Sequence, residues 1–189
     1  MKFVKIFAFL LSATVLTTAV NAQEKMTNEK TVSVGGAPMY PSKNIVENAV
    51  NSKDHTTLVV AVKAAGLVET LQSAGPFTVF APTNEAFDKL PKGTVESLVK
   101  PENKATLTKI LTYHVVAGNY DTKALAALMK AGGGKAELKT VSGGTLTVTM
   151  KGPKIMLTDE KGGMSMITIK NVYQSNGVIH VIDTVVMPK

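Results

Sequence analysis

The chain has 189 residues, 44% of them hydrophobic, and a formal net charge of +7, with 21 lysines and no arginine. It has no cysteine, which excludes disulfides, thiolate metal sites and a thiol nucleophile. The lysines are scattered singly and tryptophan is absent, whereas nucleic-acid readers use arginine forks and basic patches with stacking aromatics, so we expect no nucleic-acid partner.

The N-terminus has the features of a secretory signal peptide. Two lysines precede the apolar run from Ile6 to Leu16, and Ala22 ends a small-residue cleavage pattern. Because the apolar run is too short to span a bilayer easily, we expect cleavage after Ala22 rather than a membrane anchor. The mature protein should then be periplasmic or extracellular, with a flexible lead-in over residues 23–38 and a single domain over residues 39–189.

The first half of this domain is predicted to be helical. Apolar residues at helical spacing after Ser42 predict a first helix with Ser42 as its N-cap. The run TTLVVAVKAAG is apolar on all sides and fits a buried helix or a buried strand, and Gly66 at its end favours the helix. Further helices are predicted over residues 83–90, over residues 94–99, from Pro101 onward, and after a cap at Asp121 or Thr122.

Most of the predicted strands lie in the second half. Residues 77–81 predict one early strand, and residues 135–188 contain short β-branched runs that are separated by glycine turns. Asn176-Gly177 between two of these runs is a strong hairpin signal. Helices followed by a β-meander, with one early strand joining the late sheet, indicate an α+β fold.

The three histidines are the candidate catalytic side chains of a chain without cysteine. His55 lies in the polar run NSKDHTT and is expected on the surface, whereas His114 and His180 lie in apolar runs and are expected to be buried and hydrogen-bonded. His180 and Asp183 are three residues apart in a strand and point to opposite faces. Because metal-ligand spacing, a nucleophile elbow and a phosphate loop are also missing, the sequence predicts no catalytic residue, no metal site and no cofactor.

Four methionines lie within the predicted meander, and two interpretations are open for them. Methionine fills irregular gaps in hydrophobic cores, and it also forms adaptable apolar binding surfaces. The functional interpretation is a candidate apolar face for a partner or a lipid-like ligand, made of Met150, Met156, Met164 and Met166.

Three segments resemble the motifs of one protein family. FTVFAPTNEAF at residues 77–87 is similar to the first signature box of the fasciclin (FAS1) adhesion domain. YHVV at residues 113–116 resembles the tyrosine-histidine motif of that family, and NGVIHVIDTVVMP at residues 176–188 resembles its second box. The three segments occur in the family's order, and the resemblance covers residues 38–189.

The resemblance implies a helical layer packed on a wedge of β-strands, in which the two boxes pair as adjacent strands. It also implies mainly structural roles for the motif residues, such as a helix cap at the strand-to-helix corner and buried side chains in the core. These residues are Phe80, Thr83, Asn84, Phe87, Tyr113, His114, Gly177, His180 and Asp183.

Members of this family outside bacteria are secreted or surface-anchored adhesion modules. The resemblance therefore implies a non-enzymatic binding module for a surface protein, a polysaccharide or matrix, or a second copy of the chain. Some members are thought to engage integrins through an Asp-Ile pair before the second box, where this chain has Asn171-Val172 and lacks the carboxylate. Some algal relatives carry carotenoids, which leaves open an alternative function as an extracytoplasmic carrier of an apolar small molecule such as a lipid.

Overall fold

The structure, a computed structural model, describes residues 29–189. The predicted signal peptide over residues 1–22 and the first part of the predicted lead-in lie outside these described residues. The described part begins with an antiparallel hairpin of strands β1 (Val32–Val34) and β2 (Ala37–Met39). The structure thus differs here from the predicted flexible lead-in, because the apolar side chains of Val34 and Met39 are buried in the core.

Helices dominate the first half of the described chain, as predicted. They are α1 (Ile45–Ala49), α2 (Thr56–Ala65), α3 (Val68–Gln72), α4 (Asn84–Asp88), α5 (Thr94–Leu98) and α6 (Lys104–Tyr113), with 3₁₀ turns at Lys53–His55 and Pro101–Asn103. Gly66 ends α2 in the left-handed conformation, with φ of 73°. This C-cap confirms that TTLVVAVKAAG forms a helix, because glycine adopts positive φ without a steric penalty.

The cap of α1 differs from the prediction. Asn44, not Ser42, caps this helix, because its side chain accepts hydrogen bonds from the backbone nitrogens of Val46 and Glu47. The Glu47 carboxylate accepts in return from the Asn44 nitrogen at 2.8 Å, which completes a capping box. The Ser42 hydroxyl instead donates to the carboxylate of Glu29.

The later strands and one early strand form a single sheet within the described residues. Its members are β3 (Phe77–Pro82), β4 (Val115–Ala117), β5 (Lys135–Lys139), β6 (Thr145–Lys151), β7 (Lys154–Thr158), β8 (Met164–Gln174) and β9 (Gly177–Ile182). The spatial order is β4-β3-β9-β8-β7-β6-β5. The two boxes are adjacent, because β3 pairs in parallel with β9, from Phe77 opposite Gly177 to Pro82 opposite Ile182. Every other neighbouring pair is antiparallel.

The central strands β3 and β9 are covered on both faces. One face, which includes Val79 and Ile179, packs against the helices of the first half. The other face, which includes Phe80 and Ile182, packs against helix α7 (Thr122–Ala131) and the inner face of β5–β8. This arrangement confirms the α+β fold, a β-wedge with a packed helical layer. Among residues 29–189, no helix has the length and hydropathy that crossing a membrane would require.

Candidate functional site

The corner between β3 and α4 carries the first pair of motif residues. The Thr83 hydroxyl accepts a hydrogen bond from the backbone nitrogen of Ala86 at 3.2 Å and so caps α4. The Asn84 side chain accepts from the backbone nitrogen of Thr57 at 3.0 Å and donates to the carbonyl of Lys53 at 2.9 Å. Thr83 therefore caps α4, and Asn84 joins this corner to the start of α2.

Tyr113 ties α6 to the β-meander. Its side chain is fully buried, and its hydroxyl donates to the carbonyl of Thr145 at 2.7 Å and accepts from the nitrogen of Glu160 at 3.2 Å. Burial raises the pKa of Tyr113 to about 12. The phenol therefore stays neutral and offers no ionised group to a partner.

His114 is buried at the end of α6. One ring nitrogen, Nδ1, lies 2.9 Å from the carbonyl of Ile110, and Nε2 accepts a hydrogen bond from the nitrogen of Val186 at 3.2 Å. An acceptor at Nε2 places the proton on Nδ1, which donates to Ile110. Burial lowers the pKa of His114 to about 4, so the ring is neutral near pH 7.

His180 occupies a comparable place in β9. Its Nε2 lies 2.9 Å from the carbonyl of Tyr120, its Nδ1 accepts from the nitrogen of Asn171 at 3.3 Å, and its ring stacks on Phe80 at 5.8 Å between centroids. Burial lowers its pKa below the usual value. Both ring nitrogens thus have backbone hydrogen-bond partners. The mainly structural role of this histidine stays a prediction.

Asn171-Val172, where the resemblance implied an Asp-Ile pair, lies near the end of β8. Asn171 has φ of 58°, a left-handed conformation that asparagine tolerates better than most residues. Its side chain accepts from the nitrogen of Thr122 at 2.9 Å and donates to the Thr122 hydroxyl at 2.7 Å. Val172 is buried in the core. Asn171 therefore joins β8 to the start of α7, and Val172 is enclosed in the core.

Asp183 follows β9 within the second box, and its side chain is hydrogen-bonded to the start of β8. Its carboxylate accepts from the nitrogen of Met166 at 2.9 Å and from the hydroxyls of Ser165 and Thr184. Burial acts to raise its pKa, but these hydrogen bonds and the charge of Lys89 outweigh that effect and hold the pKa below its usual value. The carboxylate is engaged locally and is not hydrogen-bonded to His180.

His55 was expected on the surface because its sequence neighbours are polar, and this prediction is wrong. The side chain is buried, with 3% of its surface exposed, because it turns inward beneath α2 while Lys53 and Asp54 remain outside. Its Nδ1 lies 2.8 Å from the hydroxyl of Ser52, which is also buried. Its Nε2 has no hydrogen-bond partner among the described residues. The i, i+3 spacing of serine and histidine was the one signal in the sequence that could have indicated this pair.

The buried histidines do not assemble a catalytic centre in the described chain. Between residues 29 and 189, no hydrogen bond joins one histidine to another or to a carboxylate. Ser52 and His55 form a hydroxyl–imidazole pair without a carboxylate to orient the ring. Over the same residues, no cluster of three histidine or acidic side chains could hold a metal ion.

Three of the four candidate methionines share one face of the sheet. Met156 lies opposite Met166, and Thr158 lies opposite Met164, so all four side chains point outward from β7 and β8. Met150 lies opposite the buried Ile155 and therefore sits on the inner side of the sheet edge. The prediction of one face with four methionines is wrong for Met150. Side chains alternate between the two faces of β6, and Met150 lies on the inner face, away from the other three methionines.

We call the outward side of β6–β8 the methionine face, made of Met156, Met164, Met166, Thr147, Thr149 and Thr158. Lysines lie along its strands. Strands β5–β8 contain five lysines but only one acidic residue, Glu137, which pairs with Lys135 at 3.1 Å. Lys151 and Lys154 lie directly opposite each other, a like-charge arrangement that is unfavourable by itself. The face is therefore apolar and threonine-rich at its centre and basic at the end where β6 turns into β7, whereas Asp159 and Glu160 lie in the turn between β7 and β8.

The architecture is that of FAS1 domains. A solved structure of a FAS1 domain pair from the insect cell adhesion molecule fasciclin I superposes with a TM-score of 0.69 and 16% sequence identity, and the match covers 83% of this chain and 57% of that one. At this identity the likeness establishes the fold alone. The family model of the fasciclin domain matches residues 53–188, and the chain belongs to the fasciclin domain family.

Two relatives show how far this similarity extends in sequence. Protein sll1483 of Synechocystis sp. is 48% identical over 165 residues, which cover 87% of this chain and 84% of the relative. The cell surface glycolipoprotein MPB83 of Mycobacterium bovis is 34% identical over 161 residues, which cover 82% of this chain and 64% of that protein.

Proposed function

We propose that this protein is a non-enzymatic binding module that acts outside the cytoplasm, after residues 1–22 have been removed as a signal peptide. Its single domain, predicted over residues 39–189 and extended in the structure by the hairpin of β1 and β2, would bind an anionic partner at a cell surface or in the surrounding matrix. Membership of the fasciclin domain family supports this function, as do a relative named as a cell surface glycolipoprotein and a fold shared with a cell adhesion molecule. Because one fold hosts many functions, the site itself has to carry the argument.

The methionine face is the observation that carries this proposal. Methionine adapts its shape to different partners, and the lysines along the strands favour a negatively charged one. Met164 is 58% exposed, and Met156 and Met166 on the same face are partly exposed, so the three side chains form an accessible apolar patch. Lys151 and Lys154, which lie together at the β6–β7 end of this face, favour an acidic partner there.

A charge reversal at Lys151 and Lys154 tests the proposal. Replacing both by glutamate keeps a like-charge pair at the hairpin end and reverses only its sign. Labelled processed protein would be mixed with cells of its own host, and the cell-bound fraction measured at low and at physiological salt. We expect binding by the wild type that weakens as salt rises, and a loss of at least about tenfold in the double variant.

The matched control is the double variant Lys92→Glu and Lys100→Glu, which makes the same charge change at exposed positions beside α5. This control should keep most of the cell binding. Equal losses in the two double variants, or cell binding that does not depend on salt, would contradict the assignment of the methionine face. Native mass spectrometry of the same samples would reveal self-association independently.

A further inference from the structure

The methionine face exposes oxidisable side chains to solvent. Met164 is 58% exposed, and Met156 and Met166 are partly exposed. The three lie together, because Met156 is directly opposite Met166 and Met164 is two residues from Met166 on the same side of β8. Met39 and Met129, by contrast, are 3% and 4% exposed in the core. A water-borne oxidant therefore reaches the methionine face before it reaches the methionines of the core.

Methionine is the side chain through which this protein can be oxidised reversibly. Cysteine and methionine are the two side chains with reversible oxidation products, and this chain has no cysteine. Oxidation converts the methionine thioether to a sulfoxide, and methionine sulfoxide reductases, one for each epimer, convert it back. A reversible oxidative change in this protein therefore acts through methionine.

We propose that a peroxide-type oxidant converts the methionine face to sulfoxides and thereby switches off the binding through this face, an inference that rests on the function proposed above. In this step the sulfur lone pair forms a bond to one peroxide oxygen while the O–O bond breaks. The sulfur gives up two electrons and the peroxide is reduced. The departing oxygen takes the proton of the transferred oxygen and leaves as water.

A sulfoxide changes this face without disturbing the core. Its oxygen is a hydrogen-bond acceptor, so the patch becomes polar where the thioethers offered an adaptable apolar contact. Thr147 and Thr158, which lie opposite each other on the same face, supply hydroxyl donors for such oxygens. The side chains on the inner side of these strands, such as Leu146 and Leu157, remain covered. We therefore expect weaker binding by a protein that stays folded.

Partial oxidation of the processed wild-type protein tests the proposal without a substitution. Hydrogen peroxide would be added until the protein carries about one sulfoxide per molecule, located by peptide mapping with mass spectrometry. The sample would be mixed with cells of its own host below saturation, and the sulfoxides would be mapped separately in the cell-bound and free fractions. The bound-to-free ratio should be at least about tenfold lower for molecules oxidised at Met164 than for unoxidised molecules. Oxidation at Met156 or Met166 should lower the ratio in the same direction.

Met150 is the internal control in the same sample. It is 51% exposed, close to the value for Met164, but its side chain lies on the inner side of the sheet edge. Its sulfoxide should therefore form readily and distribute between the two fractions as the unoxidised protein does. Treatment with the reductases for both epimers should restore cell binding, and circular dichroism before and after peroxide should be unchanged.

The outcomes separate this inference from the proposed function. Equal distribution of the Met164 and Met150 sulfoxides between the fractions would overturn the switch and leave the proposed function intact. Oxidation of Met39 and Met129 as fast as that of Met164 would also overturn it, because a disturbed core would then explain the loss of binding. Absence of cell binding by the unoxidised protein would overturn the proposed function and the switch together.

Discussion

The side-chain oxygen of Asn176 accepts a hydrogen bond from the backbone nitrogen of Ile45 at 3.0 Å, across 131 positions of the chain. The same side chain donates from Nδ2 to the carbonyls of Leu71 and Ser73, each at 2.8 Å. The turn between β8 and β9 is therefore bonded to the first turn of α1 and to the end of α3. One buried amide thus joins the sheet to the helical layer.

Replacing Asn176 by alanine should destabilise the protein by about 2–4 kcal/mol. The substitution removes three hydrogen bonds and leaves the buried backbone groups of Ile45 and Leu71 without a partner, whereas Ser73 is exposed to water. Urea unfolding monitored by circular dichroism measures the change. Asn51→Ala is the matched control, because Asn51 is exposed and donates one bond to the carbonyl of Glu47, so its loss should change stability by about 0.5 kcal/mol or less. Similar losses in both variants would contradict a bridging role for Asn176.

Gly177, which follows this residue, should be intolerant of any side chain. Its φ is 158°, and a Cβ placed there would lie 2.0 Å from the carbonyl oxygen of Phe77 on the parallel neighbour β3. Because that contact is with backbone, relief requires β3 and β9 to separate. We expect Gly177→Ala to cost about 3 kcal/mol or more, measured as the free energy of unfolding.

Gly162→Ala separates the steric effect at Gly177 from backbone strain. Gly162 also has positive φ, at 82°, but nothing lies within 4 Å of a Cβ placed there. This control should lose only about 1 kcal/mol, the usual penalty for alanine in a left-handed conformation. If Gly177→Ala proved no more costly than Gly162→Ala, the close approach of β3 and β9 would not be the cause.

Thr83 should contribute through its hydroxyl as the cap of α4. Thr83→Ala removes the acceptor for the Ala86 nitrogen and should cost about 1 kcal/mol, whereas Thr83→Ser keeps the hydroxyl and should cost much less. Chemical unfolding of the three proteins measures the difference. Equal stabilities for the alanine and serine variants would show that the methyl group, not the cap, matters at this corner.

Much of the fold could be predicted because its signals are local. The apolar run before Gly66 could have been a helix or a strand, and Gly66 at its end indicated a helix. The two adjacent residues Asn176-Gly177 indicated the final hairpin. The parallel pairing of β3 with β9 is different, because no local pattern specifies which distant strands meet. That prediction depended on the resemblance of the two boxes to family motifs.

The errors concern side chains whose surroundings are set by distant segments. His55 has polar neighbours in sequence, yet the hairpin of β1 and β2 and the strand β3 enclose it. Met150 was grouped with three other methionines because all four lie in the meander. Side chains alternate between the faces of a strand, however, and Met150 lies on the other side of the sheet. The sequence also did not predict the three hydrogen bonds of Asn176 to α1 and α3. Asn176-Gly177 is a hairpin signal, and this role gave no reason to expect contacts with distant helices.

The buried histidines predict how stability depends on pH. Burial lowers the pKa values of His55, His114 and His180, that of His114 to about 4. The unfolded chain takes up these protons near pH 6.5, before the folded protein does. Stability from these rings is therefore fully present above about pH 6.5 and is lost as the pH falls toward the folded pKa values.

Between pH 7 and 5.5 the free energy of unfolding should fall by about 1 kcal/mol through His114, and His55 and His180 should add losses of the same sign. The carboxyls of Asp121, Glu160 and Asp183 have lowered pKa values and stay ionised in this range, so they do not contribute to the change. Urea unfolding at both pH values and constant ionic strength tests the sum, and NMR titration of the ring protons assigns it to residues. A histidine that titrates near 6.5 in the folded protein would show that its ring is open to water, in conflict with the burial seen at all three sites.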